Sequence, residues 1–142
     1  MIFGSLALGP LMKCISERQE WLVNQELKPY GLTNAQARVI LYLNRKEGKC
    51  CPQKEIEALL DISHPTVVSI VKSMERKGKV EVLVYPSDRR IKIVHLIWGD
   101  EALFQKLEKS AEEMEEKLLN GFSKEERELF TDFLKRAYKN VS

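Results

Sequence analysis

The sequence predicts a mainly α-helical domain that carries one small β-hairpin, and three observations lead there. Apolar residues recur at steps of three and four through most of the chain, the period of helices with one buried face. Two runs rich in branched and aromatic side chains, VEVLVY at 80–85 and IKIVHLIW at 91–98, break that rhythm and read as paired strands. A length of 142 residues, with 44% hydrophobic and 31% charged side chains, suits a folded, helix-rich domain rather than a disordered chain.

The elements follow in order. A first helix covers about residues 10–27, with Leu11, Cys14, Ile15, Trp21 and Leu22 near helical spacing, and Pro29-Tyr30-Gly31 breaks it. LTNAQARVILYL restarts a helix with a capping box, in which Thr33 receives the amide of Gln36 and Gln36 reaches back to the amide of Thr33. RKEGKC ends that helix at Gly48. Pro52 suits a first helical turn, and PQKEIEALL turns Ile56, Leu59 and Leu60 inward. After the three-residue turn DIS, Ser63 caps a helix running from His64 to about Lys77, which Gly78 stops in the left-handed conformation. Val67, Ile70, Val71 and Met74 form its buried stripe. Thr66, Ser69, Lys72, Ser73 and Arg76 are left for the outer face, with Val68 at the border.

Two helices follow the hairpin. The first lines up Leu103, Leu107, Ala111, Met114 and Leu118, with acids filling most of the rest. The last opens with a second capping box, Ser123 and Glu126, and lines up Leu129, Phe130, Phe133, Leu134 and Ala137. With no repeat, linker or low-complexity tract, residues 1–142 read as one continuous domain.

Composition excludes several function classes. The net charge of +2 is nearly neutral, but residues 61–95 hold seven Lys/Arg against four acids, and residues 100–128 hold five against ten. One part of the molecule is therefore suited to a polyanion and another is not. The apolar opening MIFGSLALGPLM lacks the basic start and cleavage site of a signal peptide, and no apolar run is long enough to span a bilayer. Three cysteines, two of them adjacent, suit neither a disulfide framework nor a C-x-x-C metal site, so a reducing cytoplasm is expected. The Gly4–Gly9 stretch lacks the Lys-Ser/Thr of a phosphate loop, and no nucleophile elbow accompanies the two histidines. Neither an enzyme nor a cofactor is expected.

Two helices joined by a three-residue turn and followed at once by a β-hairpin describe a winged helix-turn-helix. Small polar residues and a lysine on the outer face of the second helix let it enter a major groove. Its N-terminus, at Ser63, offers amides and positive partial charge to a phosphate. Lys72, Arg76 and Lys77 lie further along, within reach of flanking phosphates. At the hairpin tip PSDRR places Arg89 and Arg90 where a slim, permanently charged side chain can enter a minor groove. Asp88 is placed to hold Arg90 in a bidentate pair and act as a brace.

These stretches resemble the MarR family of transcriptional regulators. LTNAQARVI is similar to the family's L-T-x-x-Q-x-x-V/I/L helix start, HPTVVSIVKSMERKGKV to its recognition helix, and SDRR to its wing pattern. The resemblance implies a homodimer built from the terminal helices, about 10–31 and 100–142, flanking a DNA-binding lobe at about 32–98. It implies repression at a palindromic double-stranded operator, released by a small aromatic or phenolic effector or by oxidation. Carried over by position, Ser63, His64, Thr66, Val67, Ser69, Lys72 and Arg76 face DNA from the helix, and Arg89 and Arg90 from the wing. Three positions depart from the pattern. Val82 stands where an arginine is usual, Lys79 where an apolar residue is usual, and Asp100 where a glycine is usual.

Other readings compete at particular residues. Winged helices also serve as protein docking modules without DNA. His64 and His95 with Cys50 or Cys51 would make a metal set, though no ligand spacing links them. Cys14 as a redox sensor needs an electropositive, accessible setting, and a buried structural thiol is the alternative. Trp21, Tyr30, Trp98 and Phe104 are candidates either for a ligand pocket or for the core.

Overall fold

A computed structural model describes residues 7–142, so the first half of the apolar opening, residues 1–6, lies outside the described residues. Helix α1 spans Leu8–Leu27, α2 Asn34–Arg45, α3 Gln53–Leu60, α4 His64–Arg76, α5 Glu101–Leu118 and α6 Lys124–Val141. Strands β1 (Cys50–Pro52), β2 (Val80–Tyr85) and β3 (Asp88–Leu96) form an antiparallel sheet in the order β1-β3-β2. The fold is a winged helix-turn-helix, mainly helical as the periodicity implied. The hairpin has gained a third strand. CCP is too short to alternate and contains a proline, so it gave no strand signal. At the sheet edge the missing N–H of Pro52 is tolerated, and Cys50, Cys51 and Pro52 pair with His95, Val94 and Ile93.

The chain divides into two compact units, one ending at Phe104 and the other covering Gln105–Ser142. In the first, each element gives one apolar face to a shared core. Ile40 and Leu43 come from α2, Ile56 from α3, Val67, Val71 and Met74 from α4, Val80 and Val94 from the sheet, and Phe104 from α5, all essentially inaccessible. Each such side chain contributes roughly 1.5–3 kcal/mol relative to an exposed one, before the chain entropy that opposes it.

Helix ends carry the expected chemistry, with two adjustments. Thr33 Oγ1 accepts from the Gln36 amide and Gln36 Oε1 from the Thr33 amide, both at 3.3 Å. Helix α2 stops at Arg45 rather than at Gly48. Gly48 instead sits at φ 68° in a 3-10 turn, Glu47–Lys49, that leads into β1. Pro52 lies just before α3 rather than inside its first turn. At the end of α4, Gly78 takes φ 72°, its amide donates to Glu75 O, and the Lys79 amide donates to Met74 O. This double closure reverses the chain directly into β2.

The three departures from the family pattern each have a structural partner. Val82 donates its amide to Glu75 Oε2 at 3.3 Å, tying β2 to the end of α4. The Lys79 ammonium lies 3.5 Å above the Trp98 ring, and Trp98 meets Phe104 edge-to-face at 5.3 Å. Asp100 accepts from the Leu103 amide at 3.1 Å and so caps α5. Of the four candidate pocket or core aromatics, Phe104 is core and Trp98 half-buried, whereas Trp21 and Tyr30 are exposed.

In the second unit, Arg127 binds Glu116 at 2.8 Å and the Leu119 and Phe122 carbonyls, closing the turn before α6. Ser123 and Glu126 complete their capping box at 3.1 and 2.8 Å. The apolar stripe of α6 stays in the open, with Leu129 52% and Phe133 56% exposed. No residue of α6 is buried.

Replacing Thr33 with Ala should lower stability by about 1 kcal/mol, because the Gln36 amide loses its acceptor in the first turn of α2. Urea denaturation followed by circular dichroism measures it, and an unchanged midpoint rejects the contribution.

Candidate nucleic-acid interface

The outer face of α4 is defined by its inner one. Val67, Val71 and Met74 are at most 1% exposed, and the opposite side presents Ser63, His64, Thr66, Ser69, Lys72 and Arg76 to solvent. Val67 corrects the positional reading. Its side chain is fully buried, since it belongs to the same stripe that holds the helix to the core, and it cannot face DNA. Ser73 also leaves the outer face, half-buried and accepting from Gln36 Nε2 at 3.4 Å. Lys77 is drawn back as well, donating to Gly31 O at 2.7 Å and Gln36 Oε1 at 3.3 Å, so it is not held out toward a phosphate.

At the start of α4, Ser63 occupies the capping position, but its hydroxyl does not cap an amide. Ser63 Oγ instead meets Thr66 Oγ1 at 2.9 Å. The Ser63 side chain therefore does not cap the first turn, and the amide dipoles there suit an outside acceptor. His64 is the next residue, and its Nδ1 lies 3.1 Å from Glu57 Oε2 on α3. Glu57 was not visible as part of this site from the sequence. Its only signal is a separation of seven residues across a turn whose geometry the sequence does not specify.

The wing holds its two arginines differently. From Val84 to Tyr85 the register jumps from Lys92 to Asp88, which leaves Arg89, Arg90 and Ile91 on β3 without partners on β2. Such a bulge twists the strand and re-aims its side chains. Arg90 Nε and Nη2 donate to the two carboxylate oxygens of Asp88 at 3.0 Å each, and the Arg90 amide donates to Oδ1 at 3.0 Å. The guanidinium thus has a fixed direction while its side chain stays 90% exposed. Arg89 is exposed beside it. Toward the tip Leu83, Val84, Tyr85 and Ile91 are all exposed, so the wing projects into solvent.

The side-chain and backbone hydrogen bonds from Arg90 hold the Asp88 carboxyl below the usual carboxylate range, and Asp88 in turn raises Arg90. A depressed carboxyl contributes above its ordinary pKa and loses its contribution as pH falls through the lower folded value. The brace therefore persists at neutral pH and opens only in acid.

The remaining candidate residues fall elsewhere. His95 pairs with Glu81 across β2 and β3 at 2.9 Å, far along the strand from the wing tip. Among the described residues no three His, Cys, Asp or Glu side chains gather as a metal-binding set. The three cysteines are free thiols, with Cys14 and Cys50 half-buried and Cys51 buried. Burial, then Glu55, pushes the Cys51 thiol up to about 11, which keeps it protonated and a poor nucleophile.

The chain matches the MarR family over residues 30–91. It is 34% identical over 108 residues to YwoH of Bacillus subtilis (strain 168), an uncharacterized HTH-type transcriptional regulator, covering 76% of this chain and 77% of YwoH. The chain belongs to the MarR family. Its fold is that of S. aureus MepR in a complex with DNA, with a TM-score of 0.86 at 25% identity over 96% of this chain and 99% of MepR. The fold is also shared with BpsR of Bordetella bronchiseptica, whose DNA binding is regulated by 6-hydroxynicotinic acid (TM-score 0.80, 22% identity, 97% of each chain). As a MarR-family protein the chain is a transcription regulator and not an enzyme.

If Arg90 is what depresses Asp88, an Arg90→Ala variant should move the Asp88 carboxyl titration to higher pH. Carbon-detected NMR titration reads this directly, and identical midpoints in the two proteins reject the clamp.

Proposed function

We propose that this MarR-family regulator acts in the cytoplasm as a homodimeric repressor of a palindromic double-stranded DNA operator, and that a small aromatic ligand releases it. The observation that carries the DNA-binding mode is the sidedness of α4. One line of residues is sealed in the core, and the opposite line, Ser63, His64, Thr66, Ser69, Lys72 and Arg76, is polar, exposed and free of acids. On this reading the helix lies in the major groove, its uncapped first turn meets a phosphate, and Lys72 and Arg76 meet the backbone beyond. Arg89 and Arg90 enter the adjacent minor groove, where a narrow groove concentrates negative potential, and Asp88 aims Arg90 without touching DNA.

The homodimer is supported by what one copy leaves uncovered. On α6, Leu129, Phe130, Phe133 and Leu134 are 38–56% exposed, and on α1 Leu8, Met12, Ile15 and Trp21 are 40–66% exposed. Apolar stripes of that extent mark an interface. A second copy burying them in an obligate interface of roughly 2,000 Å² or more would set two recognition helices on one duplex, about 34–36 Å apart. Release then requires a ligand that binds more tightly when that spacing is wrong. A small aromatic compound is the class indicated by BpsR, whose fold this chain shares. Among the described residues no helix is long and apolar enough to cross a membrane.

The upstream duplex of its own gene is a suitable probe, titrated by fluorescence anisotropy over a range of salt. Arg90→Ala should weaken binding about tenfold or more if the wing reads a groove. Lys72→Ala should flatten the log–log salt slope by about 0.9 for each phosphate it no longer neutralises. Full affinity in the first variant removes Arg90 from the interface, and an unchanged slope in the second removes Lys72 from the backbone.

Phe133→Glu places a charge in the α6 stripe and should shift the protein toward monomer in sedimentation velocity. Operator affinity should fall with it. A variant that sediments like the wild type places the interface elsewhere.

A further inference from the structure

His64 is the first residue of α4, with 63% of its side chain exposed and Nδ1 3.1 Å from Glu57 Oε2. A carboxylate only accepts hydrogen bonds, so the hydrogen in that contact belongs to the imidazole Nδ1. In the neutral ring the other nitrogen, Nε2, is then left with a lone pair and acts as an acceptor. In that neutral form His64 is restricted in what it can recognise. A phosphate oxygen also only accepts, and gains nothing from a lone-pair nitrogen. In the major groove the donors that bases offer are the adenine N6 and cytosine N4 amines, whereas guanine and thymine present acceptors and a methyl group.

Resting on the DNA-binding mode above, we propose that His64 is a specificity-determining residue whose Nε2 selects adenine or cytosine at one position of each half-site. Glu57 is its positioning residue, acting through the ring and not on DNA. Beside it, Ser63 Oγ and Thr66 Oγ1 share one hydrogen bond at 2.9 Å, which engages one of their two hydroxyl hydrogens, and Pro65, which follows, stiffens the backbone that carries the ring. Glu57 and His64 come from the two helices of the helix-turn-helix, so the ring direction is set by helix packing and not by the flexible side chain alone.

Two measurements test this on the intact protein. The first needs no DNA. Imidazole nitrogen NMR of the wild type should show a protonated Nδ1 and an unprotonated Nε2 at His64 where the ring is neutral, and Glu57→Ala should yield a mixture of tautomers. An Nε2-protonated ring in the wild type overturns the proposal. The second is selection from a duplex library with a randomised segment, by wild type, His64→Ala and Glu57→Ala.

The wild type should favour adenine or cytosine over guanine or thymine about 2- to 10-fold at one position per half-site, the scale of one hydrogen bond. His64→Ala should abolish that preference, and Glu57→Ala should relax it while the other positions keep theirs. A purely structural Glu57–His64 bond would lower affinity without altering the preference at any position. Unchanged preference in either variant overturns the proposal. If the wild type enriches no sequence, the DNA-binding mode itself fails, a result distinct from the tautomer measurement. His64 is exposed and Glu57 half-buried, and circular dichroism melts check that each variant is folded.

Discussion

The roll of α4 about its own axis is the constraint on which the rest depends. Val67, Val71 and Met74 follow at steps of four and three, so they lie on one line along the helix, and all three are sealed in the core. Rotating the helix by one residue would put Val68, Lys72 and Glu75 in the places of Val67, Val71 and Met74. Valine for valine changes little, but the other two exchanges bring charges into an apolar core. The outward line, Thr66, Ser69, Lys72 and Arg76, is therefore a consequence of the inward one. The same helix end also places the wing. Gly78 reverses the chain, Glu75 takes the Val82 amide, and the Ile97 and Trp98 amides return to the Lys79 carbonyl at 3.1 and 3.2 Å. A change in the roll of α4 would be felt at β2 at once.

Helix and wing hold their cations in different ways, and the difference is physical. Lys72 and Arg76 are exposed on a regular helix, and each would lose side-chain freedom on meeting a phosphate. Arg90 has lost much of that freedom already, gripped by both oxygens of Asp88. An exposed pair of this kind adds little to stability, because water and salt screen it. Its value lies in direction. A guanidinium pre-aimed by a carboxylate still presents the rest of its donor fork, so the acid offsets some charge in exchange for a smaller entropy loss on binding.

Much of this was legible in the sequence where the signal is local. Both capping boxes, the left-handed Gly78 and the buried stripe of α4 follow from residue type at short spacing, and so does the pairing of Asp88 with Arg90. Most of what was hidden depends on tertiary neighbours. Strand β1 exists because β3 offers Cys50–Pro52 an edge, not because CCP prefers a strand. Ser63 looked like a cap, yet Thr66, three residues on, competes for its hydroxyl. Lys77 looked available until the fold brought Gly31 and Gln36 beneath it. Val67 shows a different failure. A motif aligned by position assigned it to DNA, whereas the helical period alone already assigned it to the core, and the period was right.

The terminal helix extends the same reasoning to assembly. Helix α6 has a capping box, an arginine-closed turn and a continuous apolar stripe, yet it buries no residue. Most of the stability of a helix such as this one comes from packing its apolar face rather than from propensity, because nucleation is costly. Helical order there needs a cover for Leu129, Phe130, Phe133 and Leu134. In the proposed homodimer that cover is a second copy, so ordering α6 and associating are one process, and stability rises with protein concentration. Repression would then be concentration-dependent twice over. Dilution weakens occupancy of the operator, and it also removes the partner that holds the second recognition helix in register.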